Sequence, residues 1–279
     1  SNFVQDCPGI SSAFDKGGVT FGGLNKPRDL YDAEAPLDFS GMVDNLVGSL
    51  APHVGDLGKP PLDGTYCQKH GLTPLGKTLM NEMMLRGMML DVAHLPQRAL
   101  VQAYAALEKN DYPVLKTHGD SNGGKVYKLG GLLGTRLGRC ADPKKPGNMG
   151  KSLTNAVAEA VANGAYASEA LSFDLNGFAG GPRPRFGKDK GCGAPQANPM
   201  SYPFKSFDGQ VTFTQPHLGS REVDFNTEGM IHIGLLPEVI EDARRDGVTD
   251  KDLEPLFRSA EAFVRLWEKA ETRGASMRK

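Results

Sequence analysis

Between residues 72 and 175 the apolar positions recur with two periods that take turns. "LTPLGKTLMNEMMLRG" repeats at helical spacing: Leu75, Leu79 and Met83 share a face, Thr73 can cap the start, Pro74 suits the first helical position and Gly87 suits the stop. "MMLDVA" is a continuous apolar run of strand length. "LPQRALVQAYAALEKN" returns to helical spacing, with Pro96 at its start and Leu100, Tyr104 and Leu107 as a core stripe, and "YPVLKT" is strand-like again. Strand, helix and strand inside about 30 residues make a βαβ unit, which demands a parallel sheet.

The unit recurs. "KVYKLGGLLG" (125–134) reads as a glycine-weakened strand, "SLTNAVAEAVANG" (152–164) as a helix stopped by Gly164, and "EALSFDL" (169–175) as a strand. Further on, "QVTFTQP" and "REVDFNT" alternate like a β-hairpin, expected as an insertion at about 205–228. The end is helical. "LLPEVIEDARRDG" stops at Gly247, Thr249 caps a short helix, and "SAEAFVRLWEKAE" is expected to bury Phe263, Leu266 and Trp267. The pattern therefore predicts an α/β fold in one domain over 1–279, with parallel strands near 88–93, 112–117, 125–133 and 169–175 and a further one near 2–4.

Composition narrows the functional classes. The 279 residues are 39% hydrophobic, enough for a large core, and 32 basic against 33 acidic residues give a net charge of −1. That balance offers no electrostatic reason to expect nucleic acid or an anionic membrane, and no apolar run approaches the roughly 20 residues of a membrane span. Glycine and proline gather in 1–65, 119–150 and 176–220, which read as long loops on a regular scaffold. None of the cysteines (Cys7, Cys67, Cys140, Cys192) forms a Cys-x-x-Cys pair, so a zinc ribbon is not expected. Their loop-like contexts leave one or two disulfides open. Disulfides would favour an exported or periplasmic protein.

In a parallel α/β sheet, chemistry collects at the carboxyl ends of the strands. His94, His118 and Asp174 each end an apolar strand and begin a loop. Adjacent strands lie about 4.8 Å apart, so same-facing side chains at their ends can meet on one ion. Imidazole and carboxylate together suit zinc or a similar divalent metal. His53 and His70 lie in loop-like sequence and read as solvated, His217 sits in the presumed hairpin turn, and His232 reads as a core histidine. Lys116 can be an anion binder or an ordinary lysine. Arg183 and Arg185, in "GGPRPRFG", can clamp a substrate carboxylate or belong to a stiff surface turn.

"GLTPLGKTLMNEMMLRGMMLDVAH" followed by "PVLKTHGD" resembles the membrane dipeptidase (renal dipeptidase-like) family of the amidohydrolase superfamily. That family's pattern is a Gly-Leu-Thr-x-x-Gly helix, an Asp-x-Ser-His strand end and then Pro-Val-x-x-Ser-His. "LSFDLNGF" is similar to its Ser-Asp-Phe-Asp-Gly stretch, and 225–271 is similar to its C-terminal helices. The resemblance covers roughly residues 65–135 and 150–271, with Ala93 and Thr117 in place of the family's serines. It implies a (β/α)8 TIM-barrel metal-dependent hydrolase of small dipeptide-like substrates. His94 and His118 would ligate one zinc, and Asp174 would be a ligand or the base that handles the proton of a metal-activated water. Lys116 would be open to carbamylation, as in other branches of the superfamily. The family's first-strand His-x-Asp pair has no counterpart here. The first strands of the barrel are therefore expected from a companion segment or subunit, without which the chain would be an inactive fragment, and the rival expectation is a non-catalytic binding or structural module built on the same barrel.

Overall fold

The computed structural model describes residues 4–6, 66–68, 71–118, 123–173, 175 and 181–279. The chain divides into two units, Ser1–Met83 with His94–Asn110 and Met84–Ala93 with Asp111–Lys279.

In the first unit β1 (Val4–Asp6) pairs antiparallel with β2 (Tyr66–Gln68), in the register Val4↔Gln68. The segment read as a further parallel strand thus enters an antiparallel pair. Helix α1 (Pro74–Leu85) starts where the pattern placed it: the Thr73 hydroxyl accepts from the Gly76 N–H at 3.0 Å. Gly87 follows it at φ +71°, a conformation that favours glycine. The expected apolar face is not buried, because Leu75 is 77% exposed and Leu79 is also exposed, while Met84 is the buried residue. Helix α2 (Gln97–Lys109) follows Pro96 and buries Leu100, Tyr104 and Leu107, as its spacing predicts.

The second unit holds the parallel ladder. Leu115 N–H donates to Leu90 O at 2.8 Å and Val92 N–H donates to Leu115 O at 3.0 Å, so 88–92 runs parallel to β3 (Leu115–Lys116). β3 pairs parallel with β4 (Leu132–Thr135), and β4 pairs parallel with β5 (Ala170–Leu171). The spatial order is the chain order, as successive βαβ units require. Among the described residues no sheet closes into a barrel.

Residues read as the start of a strand form helix α3 (Gly123–Lys128), and β4 begins only at Leu132. Gly123, Val126 and Tyr127 are buried, at positions i, i+3 and i+4, a helical period. Helix α4 (Lys151–Ala162) then leads to Gly164 at φ +74°.

Alternation along the strands gives the sheet two faces. Leu133 packs with Tyr127 of α3 and Ala160 of α4. Leu115, Leu132 and Ala170, of the opposite parity, pack with Ala262 and Leu266 of the last helix. The other strands form two hairpins where one was expected: β6 (Phe204–Lys205) with β7 (Thr212–Phe213), and β8 (His217–Leu218) with β9 (Arg221–Glu222). Each turn carries a glycine at positive φ, Gly209 at +73° and Gly219 at +61°. After the short helix α5 (Phe225–Glu228), helices α6 (Leu236–Arg245) and α7 (Asp250–Phe257) build the largest core with α4, through Leu153, Val223, Leu235, Val239 and Leu253. Thr249 and Asp252 form a reciprocal capping box on α7.

Helix α8 (Ser259–Met277) departs from expectation in which face it buries. Leu266 is buried, but Phe263 is 39% and Trp267 is 49% exposed. The buried stripe is Ala262, Leu266, Ala270 and Gly274, one helical face of mostly small residues. Small side chains let α8 approach closely: a Cβ on Gly274 would lie 2.7 Å from Gly87 N and Met84 O.

Candidate functional site

The carboxyl ends of the strands are tied together by one carboxylate. Asp91, the strand residue paired with Leu115, accepts the Ala93 N–H at 2.9 Å and the Thr117 N–H at 3.3 Å through Oδ1. Its Oδ2 accepts the Thr117 hydroxyl. The first of these bonds closes a local turn of the kind aspartate forms with the residue two positions on. His94 follows that turn at φ +62°, a left-handed conformation uncommon for a residue with a side chain. His118 follows Thr117 directly and is half-buried. Asp91 thus holds the residue before each histidine. The sequence pattern assigns Asp91 no role of its own. The signal was a lone carboxylate inside an apolar strand.

The polar row continues across the sheet. Ser172 N–H donates to Thr135 O at 2.8 Å, and the Ser172 hydroxyl reaches past β4 to donate to Thr117 O. Gly134 makes that reach possible, since a Cβ there would sit 2.4 Å from Thr117 O and 2.6 Å from Ser172 Cβ. Beside the row lies a cavity of about 360 Å³, lined by Leu115, Thr117, Leu132, Ser172, Phe173 and Phe263 among others. Its size falls in the range of small-molecule sites, and its walls are mainly apolar.

The other expected site residues take different places. Asp174, the expected catalytic residue and third ligand, lies outside the described residues, as do His53 and His70. Among the described residues no three His, Cys, Asp or Glu side chains form a group that could hold a metal. The described part alone therefore does not make up the zinc site that the resemblance implies. Lys116 is buried and pairs with Leu133, so by alternation it faces α3 and α4, away from the row of Thr117 and Ser172.

Arg183 is exposed, but Arg185 is buried and fully committed. Its Nε donates to both Asp242 oxygens at 2.9 and 3.0 Å, and its Nη2 donates to Asp242 Oδ1 at 2.7 Å and to Asn198 O at 3.1 Å. Its Nη1 donates to Ala197 O at 3.1 Å and Gln196 Oε1 at 3.4 Å. No donor is left for a substrate, so the expected clamp is a buried cross-link between a loop and α6. His217 is exposed on β8. His232 is half-buried and caps the turn at Ile233–Leu235, its Nδ1 accepting the Gly234 N–H at 3.1 Å.

At the amino end of β5, the opposite end of the strand, Glu169 is fully buried and accepts the Tyr127 hydroxyl. Burial pushes its carboxyl up to about 8, and the nearby charge of Glu159 adds to the rise while the Tyr127 bond opposes it. This carboxyl lies away from the polar row, so its consequence is for stability.

Compared with protein-family models, curated proteins and solved structures, the chain matches none. Among the described residues no helix is long and apolar enough to cross a membrane.

Proposed function

We propose that this chain supplies the later strands of a (β/α)8 metal-dependent hydrolase of the membrane dipeptidase type, which cleaves a peptide or amide bond of a small dipeptide-like substrate. The observation that carries the reading is Asp91, whose single carboxylate fixes the residues preceding both His94 and His118 at the carboxyl ends of neighbouring parallel strands. His94, His118 and Asp174 would hold zinc, with Asp174 also taking up a proton. Bound zinc would supply Lewis acidity and lower the pKa of a water. The strained backbone at His94 accords with this, because such conformations gather at functional sites. Arg183 remains the candidate for a substrate carboxylate.

The outer members of the ladder, 88–92 and β5, each have a described neighbour on one side only, which fits a companion segment or subunit that completes the barrel. The Cys140–Cys192 disulfide accords with an oxidising, exported or periplasmic setting. A second reading, a non-catalytic binding module, draws on the cavity itself. Its described lining carries no charged side chain, which suits an apolar ligand.

The test is hydrolysis of a dipeptide panel by the zinc-supplemented protein, alone and with Asp174→Asn. Zinc-dependent turnover that falls by about 100-fold or more in the variant supports the hydrolase. Failure of the folded protein to take up zinc would contradict it and leave the binding module.

A further inference from the structure

The chain carries a net charge of −1, yet two of its loops are strongly basic. Residues 139–145 hold Arg139, Lys144 and Lys145 against Asp142, and residues 183–190 hold Arg183, Lys188 and Lys190 against Asp189. All six of these cations are exposed, whereas Arg185 between them is buried and paired with Asp242. We propose that the two loops form one surface that binds a sulfated polysaccharide.

Remote in the chain, the loops are tied into one body. The Cys140–Cys192 disulfide joins them with a Cα separation of 5.7 Å. Beside it the Gln196 side chain accepts the Ala141 N–H at 2.9 Å and donates to Ala141 O at 3.1 Å. Inside the second loop Gly191 N–H donates to Pro184 O at 2.8 Å, and a Cβ on Gly191 would lie 3.0 Å from Arg183 Cβ. Arg139 and Arg183 therefore line the same cleft. Like charges held close by such ties repel and cannot spread apart, and a bound anion removes that repulsion.

These charges are not spent inside the protein. Among the described residues Arg139, Lys144, Arg183, Lys188 and Lys190 make no ion pair, and Lys145 reaches Asp142 only at 3.9 Å in solvent, a weak contact. Arginines elsewhere on the surface are paired, as Arg221 is with Glu228 and Arg265 with Glu261. Because the loops are cross-linked beforehand, a ligand loses little binding energy to ordering them.

What surrounds the cations selects among polyanions. None of the exposed large apolar side chains lies in either loop. A single-stranded nucleic acid asks for aromatic faces on which its bases stack, and a bilayer surface asks for apolar side chains that enter it beside the basic ones. A sulfated chain asks only for cations: guanidinium groups to fork onto its oxygens and ammonium groups as point charges. The disulfide that clips the loops suits oxidising surroundings outside the cytosol, where polysaccharides rather than nucleic acids are the common polyanions.

The experiment titrates the full chain calorimetrically with dextran sulfate, neutral dextran, a short DNA duplex, and vesicles of phosphatidylcholine with phosphatidylglycerol. Dextran sulfate should bind and neutral dextran should not. Its affinity should fall by about 10-fold or more between about 50 and 200 mM salt, as counterions are released. Arg139→Gln and Arg183→Gln, both at exposed positions that folding tolerates, should each weaken it by about threefold and make the salt dependence shallower. Arg265→Gln removes an equal charge from a paired site on α8 and should leave binding unchanged. Absence of saturable binding to dextran sulfate at low salt would overturn the proposal, as would an equal loss in Arg265→Gln. Tighter binding of the duplex or the vesicles would overturn it in favour of nucleic acid or a membrane surface. Arg183 is shared with the hydrolase reading, but the titration uses neither zinc nor dipeptide, so either reading can fail alone.

Discussion

Asp91 has three acceptor contacts at two strand ends, and it makes them without belonging to the expected ligand set. Replacing it by alanine removes all three and should lower stability by about 1–3 kcal/mol, read as a lower denaturant midpoint. If Asp91 positions the histidines, Asp91→Ala should also weaken zinc binding by about 10-fold or more per folded chain, the scale of outer-shell losses. Loss of stability with unchanged zinc affinity would leave Asp91 a purely structural tie. Glu169 makes a different prediction. Its folded pKa of about 8 stands above the ordinary 4.5, so the protonated form is favoured by folding. Its contribution is therefore complete below pH 4.5 and is lost as pH rises toward 8. The melting temperature should fall across that window, and Glu169→Gln should flatten the fall. An unchanged slope in the variant would show that other groups set it. The histidine-ended strands were legible in sequence because each is a local pattern. Gly134 was not, since the need for glycine there arises from Thr117 and Ser172, which are remote in the chain.

At the level of elements, local signals worked where they were complete. Thr249 alone marks the start of α7 in the sequence, and Thr249→Ala should cost about 1 kcal/mol of stability in equilibrium unfolding. A value near zero would mean that solvent replaces the cap. The ladder of 88–92, β3, β4 and β5 followed from strands alternating with helices. Local signals fall short where the period is short or a packing partner decides the buried face. Val126 and Tyr127 read as strand residues in the sequence because α3 spans only Gly123–Lys128, too few turns for its period to stand out. Phe263, Leu266 and Trp267 are expected on the buried side, yet α8 buries Leu266 with the small residues Ala262, Ala270 and Gly274 and leaves the two aromatics partly exposed. Closeness of approach, which only the neighbouring backbone reveals, outweighed hydrophobicity there. Gly274→Val should accordingly be strongly destabilising, whereas Trp267→Gln should be nearly neutral to stability.

At the scale of the molecule, the disulfide joining Cys140 and Cys192 spans 52 residues of the second unit. In the chain-entropy treatment a loop of that length is worth about 4 kcal/mol, so Cys140→Ser with Cys192→Ser should lower stability by about that amount. The parallel order of the ladder and the histidine-ended strands support the hydrolase reading, and the apolar cavity beside them supports the binding module. Zinc affinity separates the two most directly. Competitive zinc titration of the folded protein should give roughly one or two tight sites per chain. His94→Ala and His118→Ala should each weaken the tightest site by about 100-fold or more, with His217→Ala, on an exposed strand, leaving it unchanged. Equal zinc affinity in all four proteins would contradict a metal centre at the strand ends.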